Sequence, residues 1–278
     1  MNDFVPATND VMFKALFATH LDLLKGFLND VVGLAIENDE DITVLNPDIT
    51  PELISGKFVR LDLNIRTGEE KINVEMQSYN DEHFDKRTLF YWAKMFTEDL
   101  KKGEDYSLLK RSISVNLLNV NRFEGSDYLS EYTIMEKNRH TQLTDLFSMQ
   151  FYELQKIPSI DKSCASDDNR LLWLQLIKAN QKEMLDMLQQ TGNTLIQKGV
   201  DTLYHLNADE ELKEKIRVRE KRDRDEASAL NTARRECKAE GRKEGRQEGR
   251  AEMKNVLISQ WRKNGYSEEE IQKLLEGV

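Results

Sequence analysis

Asp62 and Glu75 are the two residues whose placement could do chemistry. Val59, Leu61, Leu63 and Ile65 alternate with Arg60, Asp62, Asn64 and Arg66. Ile72, Val74 and Met76 alternate with Asn73, Glu75 and Gln77. Strict period-two alternation marks strands with one apolar and one polar face. Thr67-Gly68-Glu69-Glu70 lies between them, so the pattern predicts a β-hairpin. For a two-residue turn at Gly68–Glu69, facing residue numbers sum to 137, which sets Asp62 against Glu75, Arg60 against Gln77 and Asn64 against Asn73. Facing Cβ atoms are about 4.5–5.5 Å apart, and like charges there are destabilising. A one-residue slip would bury the acids and expose the aliphatics, so the register is well determined.

The spacing alone leaves two readings open. Either the polar face is solvated and Arg60 and Arg66 neutralise the acids, each pair worth about 0–1 kcal/mol. Or Asp62, Glu75 and the backbone carbonyl of Met76 hold a hard divalent cation. Oxygen ligands with open water positions suit Mg²⁺, with Mn²⁺ as a substitute. Such an ion positions a water, lowers its pKa and offsets charge on a phosphodiester. Asp10 and Lys14, four residues apart on one helix face, are either an ordinary surface pair or further participants, Asp10 towards the metal.

Other chemistry-bearing residues form no pattern of this kind. His20, His83, His140 and His205 lack metal-ligand spacing. Cys164 and Cys237, 73 residues apart, show no activating base and suit a reducing compartment. Phe90–Trp92 reads as core, with base stacking as the alternative. Arg87 and Lys94 face either solvent or phosphate.

The elements that must position these residues follow from periodicity. Residues 9–29 predict an amphipathic helix capped by Thr8 or Asn9, with Met12, Phe13, Leu16, Phe17, Leu24, Phe27 and Leu28 on its apolar face. Strands are expected at 42–45, 58–66, 72–76, 113–120 and 147–154, with a weaker one at 128–135. An aromatic helix spans 82–101 and stops at Gly103. From Arg170 only helical patterns remain. Strand, helix and strand in succession imply an α/β or α+β sheet with helices on its faces.

The chain has 278 residues, 39% hydrophobic and 32% charged, with a net charge of −10. Residues 1–208 carry 22 Lys+Arg against 33 Asp+Glu, while 209–254 carry 15 against 13. An acidic body excludes a generally DNA-coating protein and leaves local patches or bound cations as the route to a polyanion. No apolar run is long enough to span a bilayer, and the first ten residues lack a signal-peptide pattern, so a cytoplasmic protein is expected. The charged tail contains Glu240-Gly241-Arg242-Lys243 and two further Glu-Gly-Arg units. On a helix its glutamates and arginines form nearly opposite stripes, a solvated spacer or a surface for another helix or phosphate.

The order of Asp62 and Glu75-Met76-Gln77 resembles the PD-(D/E)XK nuclease core, with Gln77 at the lysine position. The flanks, Asn9-Asp10-Val11-Met12-Phe13-Lys14-Ala15-Leu16-Phe17, Arg60-Leu61-Asp62, Tyr91-Trp92-Ala93-Lys94-Met95-Phe96, Gly103–Tyr106 and Phe151-Tyr152-Glu153-Leu154, resemble the recombination-promoting nuclease/transposase-like (Rpn) family. This resemblance implies a restriction-endonuclease-like α/β fold: a mixed central sheet flanked by helices, with a helical C-terminal extension. It divides the chain into a nuclease-like domain at 1–205 and a charged tail at 206–278. It also implies Mg²⁺-dependent hydrolysis of DNA phosphodiesters, with Asp62 and Glu75 as metal ligands and Gln77 as a catalytic residue. An amide gives a dipole where lysine gives a charge, a charge that Lys14 could restore. The alternative is a catalytically silent, transposase-associated DNA-binding protein of the same fold. Double-strand cutting suggests a homodimer, joined through the tail; an oligomerisation scaffold driven by the tail is a third reading.

Overall fold

The computed structural model describes residues 4–45, 63–78, 82–159 and 168–275. It divides into two compact units, Met1–Lys213 and Glu214–Val278.

The first unit opens with α1 (Asp10–Ala18) and α2 (Leu21–Phe27), continued by a π-helical turn at Leu28–Val32. Asn9 is the N-cap, its side-chain oxygen accepting from the Val11 and Met12 amides at 3.0 and 3.3 Å. The single helix expected over 9–29 is therefore two. The break falls where the Thr19 hydroxyl donates to the Ala15 carbonyl at 3.1 Å, and His20 takes a non-helical φ of −124° and ψ of 78°. A hydroxyl competing for helix carbonyls in this way favours a helix end. The π turn ends at Gly33, whose φ of 82° suits a residue without a Cβ.

The sheet comprises β1 (Thr43–Leu45), β2 (Leu63–Arg66), β3 (Glu70–Gln77), β4 (Arg111–Leu118), β5 (Leu129–Tyr132) and β6 (Phe147–Glu153). Their spatial order is β1-β2-β3-β4-β6-β5. The β2–β3 hairpin is antiparallel, β3–β4 and β4–β6 are parallel, and β5 closes the far edge antiparallel to β6. Helix α3 (Phe84–Thr97) makes the crossover from β3 to β4, as a parallel pair requires.

One sheet face is apolar: Leu63, Ile65, Ile72, Val74, Ile113, Val115 and Leu117 are all buried. The turn after α2 lies against this face, since the Tyr152 hydroxyl donates to the Val31 carbonyl at 2.7 Å. The helical core of the unit draws on Phe13 and Phe17 of α1, Phe27 of α2 and Trp173 of α4 (Asn169–Lys178), whose rings are 5.0–6.5 Å apart. Helices α5 (Lys182–Gln189) and α6 (Thr194–Ala208) complete the bundle. Gly26 is a close-approach position, because a Cβ there would meet Trp173 at 2.8 Å and Leu195 at 2.9 Å.

The second core lies on the other face, where Phe84 of α3 joins Leu118, Phe147, Met149 and Phe151, with Trp92, Val120 and Phe123 packed against them.

In the second unit, α7 (Glu210–Lys263, crossing the unit boundary) is a continuous helix of 54 residues, followed by α8 (Glu268–Leu275). Ser267 and Glu270 form a reciprocal cap at its start, with Ser267 N to Glu270 Oε2 at 2.8 Å. The Glu-Gly-Arg units lie on the exposed surface of α7, and a Cβ on Gly241, Gly245 or Gly249 would meet nothing within 4 Å.

Candidate active site

The hairpin has the register that its alternation and turn demand: Leu63 faces Val74, and Asn64 faces Asn73. Asp62 and Arg60 lie outside the described residues. Glu75 is in place on β3, 7% exposed, with Asn116 of β4 as its lateral neighbour. Met76 points to the apolar face, and Gln77, 5% exposed, ends the strand on the Glu75 face. Glu75 and Gln77 thus sit at the carboxyl end of a parallel strand, where open α/β sheets collect their ligands.

Over β2, β3 and β4 as far as Asn116, the face that carries Glu75 is buried and polar, and beyond it on β6 the second apolar core begins. Asn64, Lys71, Asn73, Gln77, Ser112, Ser114 and Asn116 are all buried with it. The Asn73 amide nitrogen stands 3.5 Å from Glu75 Oε1, and the Asn116 amide nitrogen donates to Ser114 Oγ and the Gln150 carbonyl, both at 3.2 Å. The side-chain oxygens of Asn64, Asn73 and Asn116 have no hydrogen-bond partner among the described residues. Each such buried orphan costs about 1–3 kcal/mol, so three on the sheet face of one buried carboxylate call for a reason beyond stability.

Charge on the hairpin is compensated at its turn end. Arg66 Nη2 contacts Glu98 Oε1 and Asp99 Oδ1, each at 2.8 Å. Lys71, 2% exposed, donates from Nζ to the Met95 carbonyl at 2.9 Å and pairs with Asp99 Oδ2 at 2.8 Å. Arg66 is thus taken up by the C-terminal end of α3, while Arg60 and Asp62, the other members of the solvated-face reading, lie outside the described residues. Burial pushes the Asp99 carboxyl up, but the ammonium of Lys71 and the guanidinium of Arg66 outweigh it and hold the pKa below its ordinary value.

The other end of α3 meets the site. Arg87 Nη2 donates to Gln77 Oε1 at 2.6 Å, and its guanidinium lies 5.4 Å from the Phe84 ring centroid. The start of α1 is tied to the same strand end: Ser78 Oγ donates to the Thr8 carbonyl at 3.3 Å. Asp10 and Lys14, both half-buried, occupy the first and second turns of that helix. Across the sheet, Glu153 shares the Gln77 face through Leu118. Its Oε1 accepts from the Arg122 and Phe123 amides at 2.6 and 3.1 Å, and its Oε2 pairs with Lys156 at 2.6 Å. Burial raises the Glu153 pKa, yet these donors outweigh it and leave the carboxyl more acidic than usual.

The aromatic run of α3 divides. Trp92 stacks on Phe96, meets Phe147 edge-on and donates from Nε1 to the Ser112 carbonyl at 2.8 Å. Phe90 is 52% exposed.

Among the described residues, no three of His, Cys, Asp and Glu come together in a way that could hold a metal ion. The donor chemistry around Glu75 nevertheless fits a hard cation. A buried carboxylate and three buried amide oxygens lacking donors lie on this face of β2, β3 and β4, and oxygen donors are the type that Mg²⁺ and Mn²⁺ select.

Sequence reasoning missed Asn116 and Glu153 as parts of this arrangement and left Arg87 between solvent and phosphate. A signal for the first was available: Ser112, Ser114 and Asn116 alternate with Ile113, Val115 and Leu117, the same polar stripe that β3 carries.

The mixed six-stranded sheet with flanking helices and a long C-terminal helix is an α/β architecture of the PD-(D/E)XK type. The model of the PD-(D/E)XK nuclease family transposase matches residues 7–233, and the chain belongs to that family. No curated protein and no solved structure matches it. Membership places the chain among nuclease- and transposase-related proteins. No helix among the described residues is long and apolar enough to cross a membrane.

Proposed function

We propose that the protein is a metal-dependent DNA endonuclease, of the kind associated with recombination or transposition. The observation that carries the reading is the buried Glu75 carboxylate at the carboxyl end of β3, on a sheet face that also buries three amide oxygens without donors. Asp62 and Glu75, with the Met76 carbonyl and a contribution from Asp10, hold Mg²⁺ in this reading; Mn²⁺ substitutes. When bound, the ion lowers the pKa of a water and offsets charge on the phosphodiester. Gln77 supplies an amide rather than a charge. Because an arginine can only donate, the Gln77 Oε1 is turned to Arg87 and the amide nitrogen is directed away from it, as a donor. Gln77 therefore orients water or the scissile phosphate, and Lys14 adds positive charge from α1. Double-strand cutters often use two such sites, so the proposal includes a homodimer.

Supercoiled plasmid with Mg²⁺ is expected to be nicked or cut, and chelator to stop it. Asp62→Ala and Glu75→Ala should each lower the rate by on the order of 10³-fold or more. Full cleavage by both variants would overturn the mechanism. Gln77 at the lysine position favours a second reading, a silent DNA-binding relative. That reading predicts DNA binding without cleavage and no Mn²⁺ heat by calorimetry that depends on Glu75.

A further inference from the structure

A fixed side-chain cation near the phosphorus adds to what a divalent ion supplies in phosphodiester hydrolysis, because negative charge accumulates on the non-bridging oxygens as the bond changes. Gln77 does not supply one. Its side-chain oxygen is instead 2.6 Å from Arg87 Nη2. This guanidinium comes from the first turn of α3, lies half-buried above the Phe84 ring and reaches the carboxyl end of β3 from outside the sheet. A guanidinium presents five N–H donors in a planar fork, so a bond to one amide oxygen is compatible with gripping a phosphate oxygen. Lys14 stands in the second turn of α1, a helix whose start is tied to this strand end by the Ser78–Thr8 contact at 3.3 Å. Arg87 touches the residue at the lysine position directly.

We propose that Arg87 is the catalytic cation of the site, a guanidinium held by Gln77 that contacts a non-bridging oxygen of the scissile phosphate. The inference rests on the nuclease reading above and names the residue that stands in for the absent lysine. In the step it serves, the water oxygen forms a bond to phosphorus and the bond from phosphorus to the leaving alkoxide oxygen breaks. The proton lost by the water balances the one gained by the alkoxide. Arg87 exchanges no proton, since a guanidinium stays charged in proteins. Its contribution is electrostatic and therefore flat with pH, whereas a lysine there could titrate.

The test is a cycle over Arg87→Gln, Gln77→Lys and the double variant, with Glu75→Ala as reference. Plasmid cleavage is read with Mg²⁺, and duplex binding by fluorescence anisotropy in EDTA over a range of salt. Arg87→Gln is expected to cut about 10²–10³-fold more slowly and to show a binding slope against salt shallower by about 0.9, the loss of one phosphate contact. Gln77→Lys in that background is expected to restore cleavage at least about tenfold, because the charge returns from the strand. Circular dichroism melting confirms that each variant is folded. If Arg87→Gln cuts within about threefold of the parent while Glu75→Ala is inactive, the inference fails and the nuclease reading stands. A loss that Gln77→Lys does not recover, in a folded protein with an unchanged salt slope, makes Arg87 structural and also overturns it. Activity retained in Glu75→Ala removes the nuclease reading itself.

Discussion

The two faces of one sheet are built to different standards. On the apolar face, Ile72, Val74, Ile113, Val115 and Leu117 close against helices, and the buried polar groups are matched: Tyr152 donates to Val31 at 2.7 Å, and Gln150 reaches the Val32 carbonyl at 3.5 Å. On the other face, the same strands bury Asn64, Asn73, Glu75 and Asn116 and leave three amide oxygens without donors. Burial drives the first face at about 25 cal/mol per Å², while the second gives up stability at each orphan. Natural chains keep such local losses where activity needs them. The contrast itself points to the β2–β3–β4 polar strip, independently of any family.

That contrast can be broken by substitution. Trp173→Ala on the apolar side removes the ring that packs on Phe17 and Phe27 and leaves Asp30 without the 2.8 Å indole donor. It should cost about 3–5 kcal/mol in denaturant unfolding yet leave cleavage per folded molecule unchanged. Glu153→Gln should cost on the order of 1 kcal/mol at neutral pH, with a pH signature. The Glu153 pKa lies below its ordinary 4.5, so its contribution is complete above that value and is lost as pH falls through the lower folded pKa. Melting of the parent and variant should therefore differ at pH 7 and converge in acid; a constant gap would contradict the role given to the carboxylate. The smallest stability effect belongs to Asn73→Leu, expected to be neutral or stabilising by up to about 1 kcal/mol because it removes an orphan. Cleavage should nevertheless fall at least about tenfold. A large destabilisation there would mean that the polar strip is structural.

The hairpin was legible because everything that fixes it is local: period-two alternation, a two-residue turn and the penalty for burying the wrong face. Its pairing of Asn64 with Asn73 appears in the structure as read. The burial of the polar face was not legible, since it depends on α3 and on the parallel neighbour β4, both distant in sequence from β2. The division of the first helix turned on one hydroxyl, Thr19, that no hydrophobic spacing reveals. Arg87 meets Gln77 because of where a crossover helix lands, and spacing says nothing about landing sites. Asp62, the partner on which the sequence reading leaned most, lies outside the described residues.

Helix α3 is fastened to the hairpin at both ends, through Arg87 to Gln77 and through Met95, Glu98 and Asp99 to Lys71 and Arg66. An element held at two points has no hinge about which to swing. Its central amides and those of β3 should then exchange with deuterium through one shared opening, as a single cooperative block. In the nuclease reading, that predicts substrate entry by side-chain rearrangement rather than by slow lifting of the helix.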